Sequence, residues 1–151
     1  AKMNALQDAS IIQALYEASC AGVKIDLIVR GACVLRPGVE GLSENIRVRS
    51  IVGRFLEHSR IFCFHNEGED DLYLASADWM NRNLFRRIEV AFPVIDKTLK
   101  KRVMQEGLQP YLKDNLNSWE LDADGAYHRR RARSDQAGFS AQEFLMQALG
   151  R

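Results

Sequence analysis

Two side chains placed two residues apart carry the chemistry most easily named in this sequence. His58 offers an imidazole, which can attack phosphorus or pass a proton to a leaving oxygen. Arg60 offers a permanent positive charge for oxygens on which charge builds up. Further along, Leu74-Ala75-Ser76-Ala77-Asp78-Trp79-Met80 sets a small hydroxyl and a carboxylate in one turn, where backbone can approach a phosphate closely. Arg30 follows an apolar run that ends at Val29, and its planar fork suits two phosphate oxygens at once. Arg87 is a further cation for a phosphate chain or a nucleotide, and Arg82 is a weaker one. Asp78, Asn83 and Glu89 either orient such groups or accept ordinary structural hydrogen bonds. Lys2 and Asn4 open the chain and either reach a phosphate chain or fray as a terminus.

The plain alternatives carry weight. An isolated histidine is more often structural than catalytic, and His65 and His128 are read in that way, as loop residues. Trp79 is read as core packing, and Arg86 and the run Arg129-Arg130-Arg131 with Arg133 as solvated surface charge.

The elements that must hold these groups alternate. A helix is expected over 9–21, with Asp8 as its N-cap and Gly22 as its stop. A buried strand is expected over 23–29, and ligands of α/β folds gather at the carboxyl ends of such strands, where Arg30 lies. Residues 31–45 read as a loop, 47–49 as a strand and 50–57 as helical. Two runs, 60–64 and 72–76, flank a polar turn and predict a hairpin. A short helix or turn over 78–84 and a strand over 87–92 follow. An amphipathic helix over 96–112 is expected to turn Leu99, Val103, Met104 and Leu108 inward. Residues 113–137 read as a long loop with a small element near Trp119, and Ser140 caps a last helix over 141–149. The class is therefore α/β.

Composition sets bounds. In 151 residues, 46% hydrophobic and 27% charged, one domain with a real core is expected. The formal charge of +1 excludes the general basic field of a nucleic-acid binder. Three widely spaced cysteines, Cys20, Cys33 and Cys63, suit free buried thiols in a reducing compartment. No apolar run reaches the roughly 18 residues of a membrane helix, and no signal peptide opens the chain. A start at Ala1, directly in patterned sequence, suggests an excised domain.

The order histidine, cation, hairpin return and Ser-x-Asp turn resembles the phospholipase D superfamily. Arg60 stands where that family has lysine, and His65 where it has aspartate, so phosphodiester hydrolysis is in question while phosphate geometry is kept. A more specific resemblance spans nearly the whole chain. AKMNAL, IDLIVRG, the LRPG loop, GRFLEHSR and SADWM occur in the order found in bacterial polyphosphate kinases. This resemblance implies a mixed β-sheet flanked by helices, forming one C-terminal phospholipase D-like domain over 1–151, with a compact core to about 113 and a loop-rich tail. It implies transfer of the ATP terminal phosphate to inorganic polyphosphate through a phosphohistidine in a domain outside this chain. Magnesium is implied too, its ligands unidentifiable here. Implied partners are ATP or ADP, polyphosphate, the remaining domains and, at full length, a second copy, with no nucleic acid. The location implied is the cytoplasm, including the periphery of the inner membrane. Arg30 and His58 match positions that contact nucleotide phosphates, with His58 as an acid/base or charge stabiliser. Alternatives are a phosphodiesterase or nuclease of the superfamily and a non-catalytic polyanion-binding module.

Overall fold

The fold is taken from a computed structural model that describes residues 1–132 and 135–150. Strand β1 (Lys2–Met3) leads into helix α1 (Ala9–Cys20), followed by β2 (Ile25–Val29) and β3 (Ile46–Ile51). Strands β4 (Arg60–Asn66) and β5 (Glu69–Ala75) form a hairpin, then come α2 (Asn81–Phe85) and β6 (Ala91–Pro93). Helices α3 (Lys97–Val103) and α4 (Gln109–Lys113) are joined by a π-helical turn, Met104–Leu108. Strands β7 (Ser118–Leu121) and β8 (Tyr127–Arg129) and helix α5 (Ala141–Leu149) complete the chain. The strands form one mixed sheet in the order β6-β5-β4-β1-β2-β3-β7-β8, parallel only across β1, β2 and β3.

Local chemistry explains the strongest elements. The Asp8 carboxylate accepts from the N–H groups of Ser10 and Ile11, satisfying two otherwise orphaned donors of α1. Gly22, at φ 88°, ends it. Glu67 and Gly68 both have positive φ, the backbone of a tight two-residue hairpin turn, and the paired strands run further into it than the polar composition suggests.

Both faces of the sheet are covered. Met3, Leu27, Val29, Ile46, Val48 and Phe62 form a core with Ile12 of α1. Ile28, Ile51, Ile61 and Leu72 form another with Leu108, Tyr111 and Ala141 from the later helices. Burial on both sides is why Leu27-Ile28-Val29 of β2 is continuously apolar, each such side chain contributing about 1.5–3 kcal/mol. Trp79 stacks on Phe62 at 4.8 Å, as core packing requires.

The mixed α/β architecture with flanking helices expected of a phospholipase D-like domain is found, with local departures. Residues 50–57 are not helical: Ser50 and Ile51 stay in β3 because β7 pairs with them, and 52–59 is irregular. The strand over 87–92 shrinks to Ala91–Pro93, since the Ser76 hydroxyl takes the Val90 N–H. The loop over 113–137 contains the β7–β8 pair, concealed because Trp119, Glu120 and all of β8 are exposed and give no apolar alternation. Leu99 is 52% exposed rather than inward, while Val103, Met104 and Leu108 do pack on the sheet. Cys20 is exposed and Cys33 and Cys63 half-buried, so the thiols are free but not deeply buried. Among the described residues no helix is long and apolar enough to cross a membrane.

Candidate functional site

One edge of the sheet collects the polar groups. Because β1, β2 and β3 run parallel, their carboxyl ends lie together, putting Asn4 beside Arg30. Strand β4 runs antiparallel to β1 and therefore starts at that edge with Arg60. Strand β5 returns to it at Ala75, opposite Arg60, so Ser76 and Asp78 follow there. Antiparallel β6 begins opposite Ala75, which brings Glu89 close as well.

A row of hydrogen bonds runs along this edge. The Arg30 Nε donates to Asn4 Oδ1 at 2.9 Å. The Asn4 backbone N–H donates to Asp78 Oδ1 at 2.7 Å, and its side-chain amide lies 3.5 Å from Oδ2. Arg60 forks onto the same carboxylate, Nε to Oδ1 at 3.1 Å and Nη2 to Oδ2 at 3.0 Å. Its Nη1 then reaches His58, 2.8 Å from Nδ1, 3.5 Å from Nε2 and 2.8 Å from the backbone carbonyl. A guanidinium can only donate, so Nδ1 accepts and the ring proton belongs on Nε2. Burial alone would raise the Asp78 carboxyl, but donors from Arg60 and Asn4 outweigh it and hold the group below its ordinary value.

The other expected residues take different places. The Ser76 hydroxyl donates to Glu89, and the Asn83 amide donates to Glu89 at 2.6 Å. These two donors hold the Glu89 carboxyl below its usual range, with Arg87 and Arg60 adding positive charge nearby. Arg87 itself is exposed, and among the described residues it acts on the group through charge alone. Beside Arg30 lies a cleft lined also by Gly31, Ser50, Val52, Trp119 and Tyr127. A second cleft, lined in part by Arg47, Glu120 and Arg130, contains none of the expected residues, so polar convergence rather than cavity size marks the site. Among the described residues no cluster of three or more histidine, cysteine or acidic side chains could hold a metal.

Some residues fall outside their sequence reading. Lys2 does not reach outward: it is 2% exposed, bonded to Glu57 at 2.7 Å and placed 3.4 Å above the Tyr111 ring. Burial lowers its ammonium pKa, and Glu57 works against that shift. Arg49 is likewise buried, tied to the Leu112 carbonyl at 2.6 Å and to Asp26 at 3.1 Å. His65 and His128 sit on strands rather than in loops, each against an aspartate. Arg129 is on β8 and bonds the Leu116 carbonyl, Arg130 faces Glu120, and Arg133 lies outside the described residues. Glu57 and Gln142 are the residues that sequence reading missed. Only the place of Glu57 next to His58 in its motif could have pointed to it.

A family model described as polyphosphate kinase C-terminal domain 2 matches residues 1–142. A polyphosphate kinase of Xylella fastidiosa (strain Temecula1) is 59% identical over 149 residues, covering 99% of this chain and 21% of that protein. One of Burkholderia lata is 67% identical over 132 residues, covering 87% and 19%. The crystal structure of polyphosphate kinase from Porphyromonas gingivalis superposes with a TM-score of 0.93 at 46% identity, over 99% of this chain and 22% of that one. The chain thus spans about a fifth of the length of the relatives it matches. On the family match and these identities, the chain belongs to the polyphosphate kinase C-terminal domain family.

Proposed function

We propose that this chain is the nucleotide- and polyphosphate-binding part of an ATP–polyphosphate phosphotransferase, which reversibly moves the terminal phosphate of ATP onto inorganic polyphosphate. A phosphohistidine outside the chain carries the phosphate, and His58 works beside it. The observation supporting this most directly is the unbroken row Arg30–Asn4–Asp78–Arg60–His58.

Each member has a task. Asp78 balances the charge of Arg60 and fixes its fork, and Arg60 fixes the imidazole. Nε2–H then donates a hydrogen bond to a phosphoryl oxygen and stabilises the charge that builds there. Among the described residues Arg30 uses only Nε within the fold, which leaves both terminal nitrogens for phosphate oxygens. Arg60, with donors directed to Asp78 and His58, contributes orientation and field. Arg87 adds positive charge for the chain of phosphates, and Ser76, Asn83 and Glu89 brace the turn that carries Asp78. Among the described residues no cluster of carboxylates or imidazoles would hold magnesium, so the ion would be held by the phosphates of the nucleotide and would neutralise part of their charge. Residues 1–151 act as one domain of a cytoplasmic homo-oligomer whose other domains complete the site.

Calorimetric titration of the full-length enzyme with ATP–magnesium and with short-chain polyphosphate, at two salt concentrations, tests this. Affinity should fall with salt, and ATP affinity should fall again in Arg30→Ala. Unaltered affinity in Arg30→Ala would remove the phosphate site from this sheet edge.

A further inference from the structure

We infer that Gln142 is a positioning residue for His58, acting from the first turn of α5 through the backbone of Phe55 and the carboxylate of Glu57. The inference rests on the role proposed for His58 above. His58 lies next to the end of the irregular stretch 52–59 between β3 and β4, which has no ladder of its own. The aim of the imidazole therefore depends on whatever fixes the backbone just before it. Misplacement of a reacting group by about 1 Å can cost ~10²-fold in rate.

The Gln142 amide supplies that fixation. Its Oε1 accepts from the Phe55 N–H at 2.9 Å, and its Nε2 donates to the Phe55 carbonyl at 2.8 Å, as a neighbouring strand would. Nε2 also donates to Glu57 Oε1 at 2.7 Å. The other Glu57 oxygen takes the Lys2 ammonium at 2.7 Å, and Lys2 lies over the Tyr111 ring. Elements β1, α4 and α5 thus converge on the residue directly preceding His58. Gln142 is only 6% exposed, and such burial of an amide costs free energy unless its hydrogen bonds are made. Gly53 opens the slot: a Cβ there would overlap the Gln142 amide. Helix α5 is itself placed firmly, with Asp114 Oδ2 accepting from the Ala141 N–H at 2.8 Å.

Gln142→Met in the full-length enzyme keeps side-chain length and removes all three hydrogen bonds. Its kcat for ATP-dependent phosphotransfer should fall ~10- to 100-fold while KM for ATP stays within about 2-fold. In a His58→Ala background the same substitution should alter kcat by less than about 2-fold, because its effect runs through the imidazole. An unchanged kcat in the single variant, or an equal loss in both backgrounds, overturns the positioning role. If His58→Ala alone leaves kcat intact, the role proposed for His58 falls and this inference with it, so the two failures are told apart. Should Gln142→Met fail to fold, Gly53→Ala displaces the amide without removing it and is held to the same outcomes.

Discussion

Strand β4 carries one histidine, His65, near its turn end and has another, His58, just before its start, and the two stand in opposite situations. His65, near the turn, faces Asp70 across the hairpin at 3.1 Å with its side chain 77% exposed. Such a pair in water contributes ~0–1 kcal/mol. His58, two residues before the strand, is also exposed, yet Arg60 holds both its ring and its carbonyl. Arg60 is in turn forked onto Asp78, whose side chain is 5% exposed. Exposure does not separate the two histidines. Depth of support does, and the role proposed for His58 needs an imidazole that substrate can reach and that is still held in one orientation.

The contrast is broken most severely by His58→Ala in the full-length enzyme. Phosphotransfer measured from ATP to polyphosphate should fall by ~10²–10⁴ with the domain still folded, and an unchanged rate would make the two histidines equivalent. Arg30→Ala comes next: loss of charged hydrogen bonds worth about 1.5–3 kcal/mol should weaken ATP binding ~10- to 100-fold by calorimetry.

A subtler effect concerns acid. Asp78 binds its proton more weakly folded than unfolded, where its value is about 3.9. Its contribution to stability is therefore full above that pH and is lost as pH falls through the lowered folded value. Thermal melts of Asp78→Asn taken from about pH 5 downward should lack that part of the acid sensitivity. An identical pH dependence in both proteins would remove Asp78 as the anchor. The smallest effect belongs to His65→Ala, whose activity should stay within about 2-fold and whose stability should stay within ~0.5 kcal/mol. A larger loss would show that the turn end of the hairpin also takes part.

Much of this was legible along the chain because the signals are local. Asp8 and Ser140 announce helix starts through side chains that cap N–H groups two or three residues on. The β4–β5 hairpin is marked by two strand-like runs around a polar turn, and His58 by a motif contained within one stretch. The departures share a cause, which is that partners distant in sequence overrode local preference. Ser50 and Ile51 look helical until β7 claims them, and β7 and β8 look like loop because their outward side chains are polar or exposed. Lys2 reads as a phosphate ligand or a frayed terminus until Glu57 and the Tyr111 ring appear beside it.

By itself, then, the sequence determined the residue types, the caps, the hairpin, the α/β class and the family. Tertiary structure alone decided which polar groups meet. Inserting two-residue β1 between β2 and β4 brings Asn4 against both Arg30 and Asp78, the latter 74 positions away. Folding α5 back sets Gln142 against Glu57, 85 positions away. No periodicity or spacing encodes such pairs, because hydrogen bonds act over about 3 Å and depend on where the backbone has been carried.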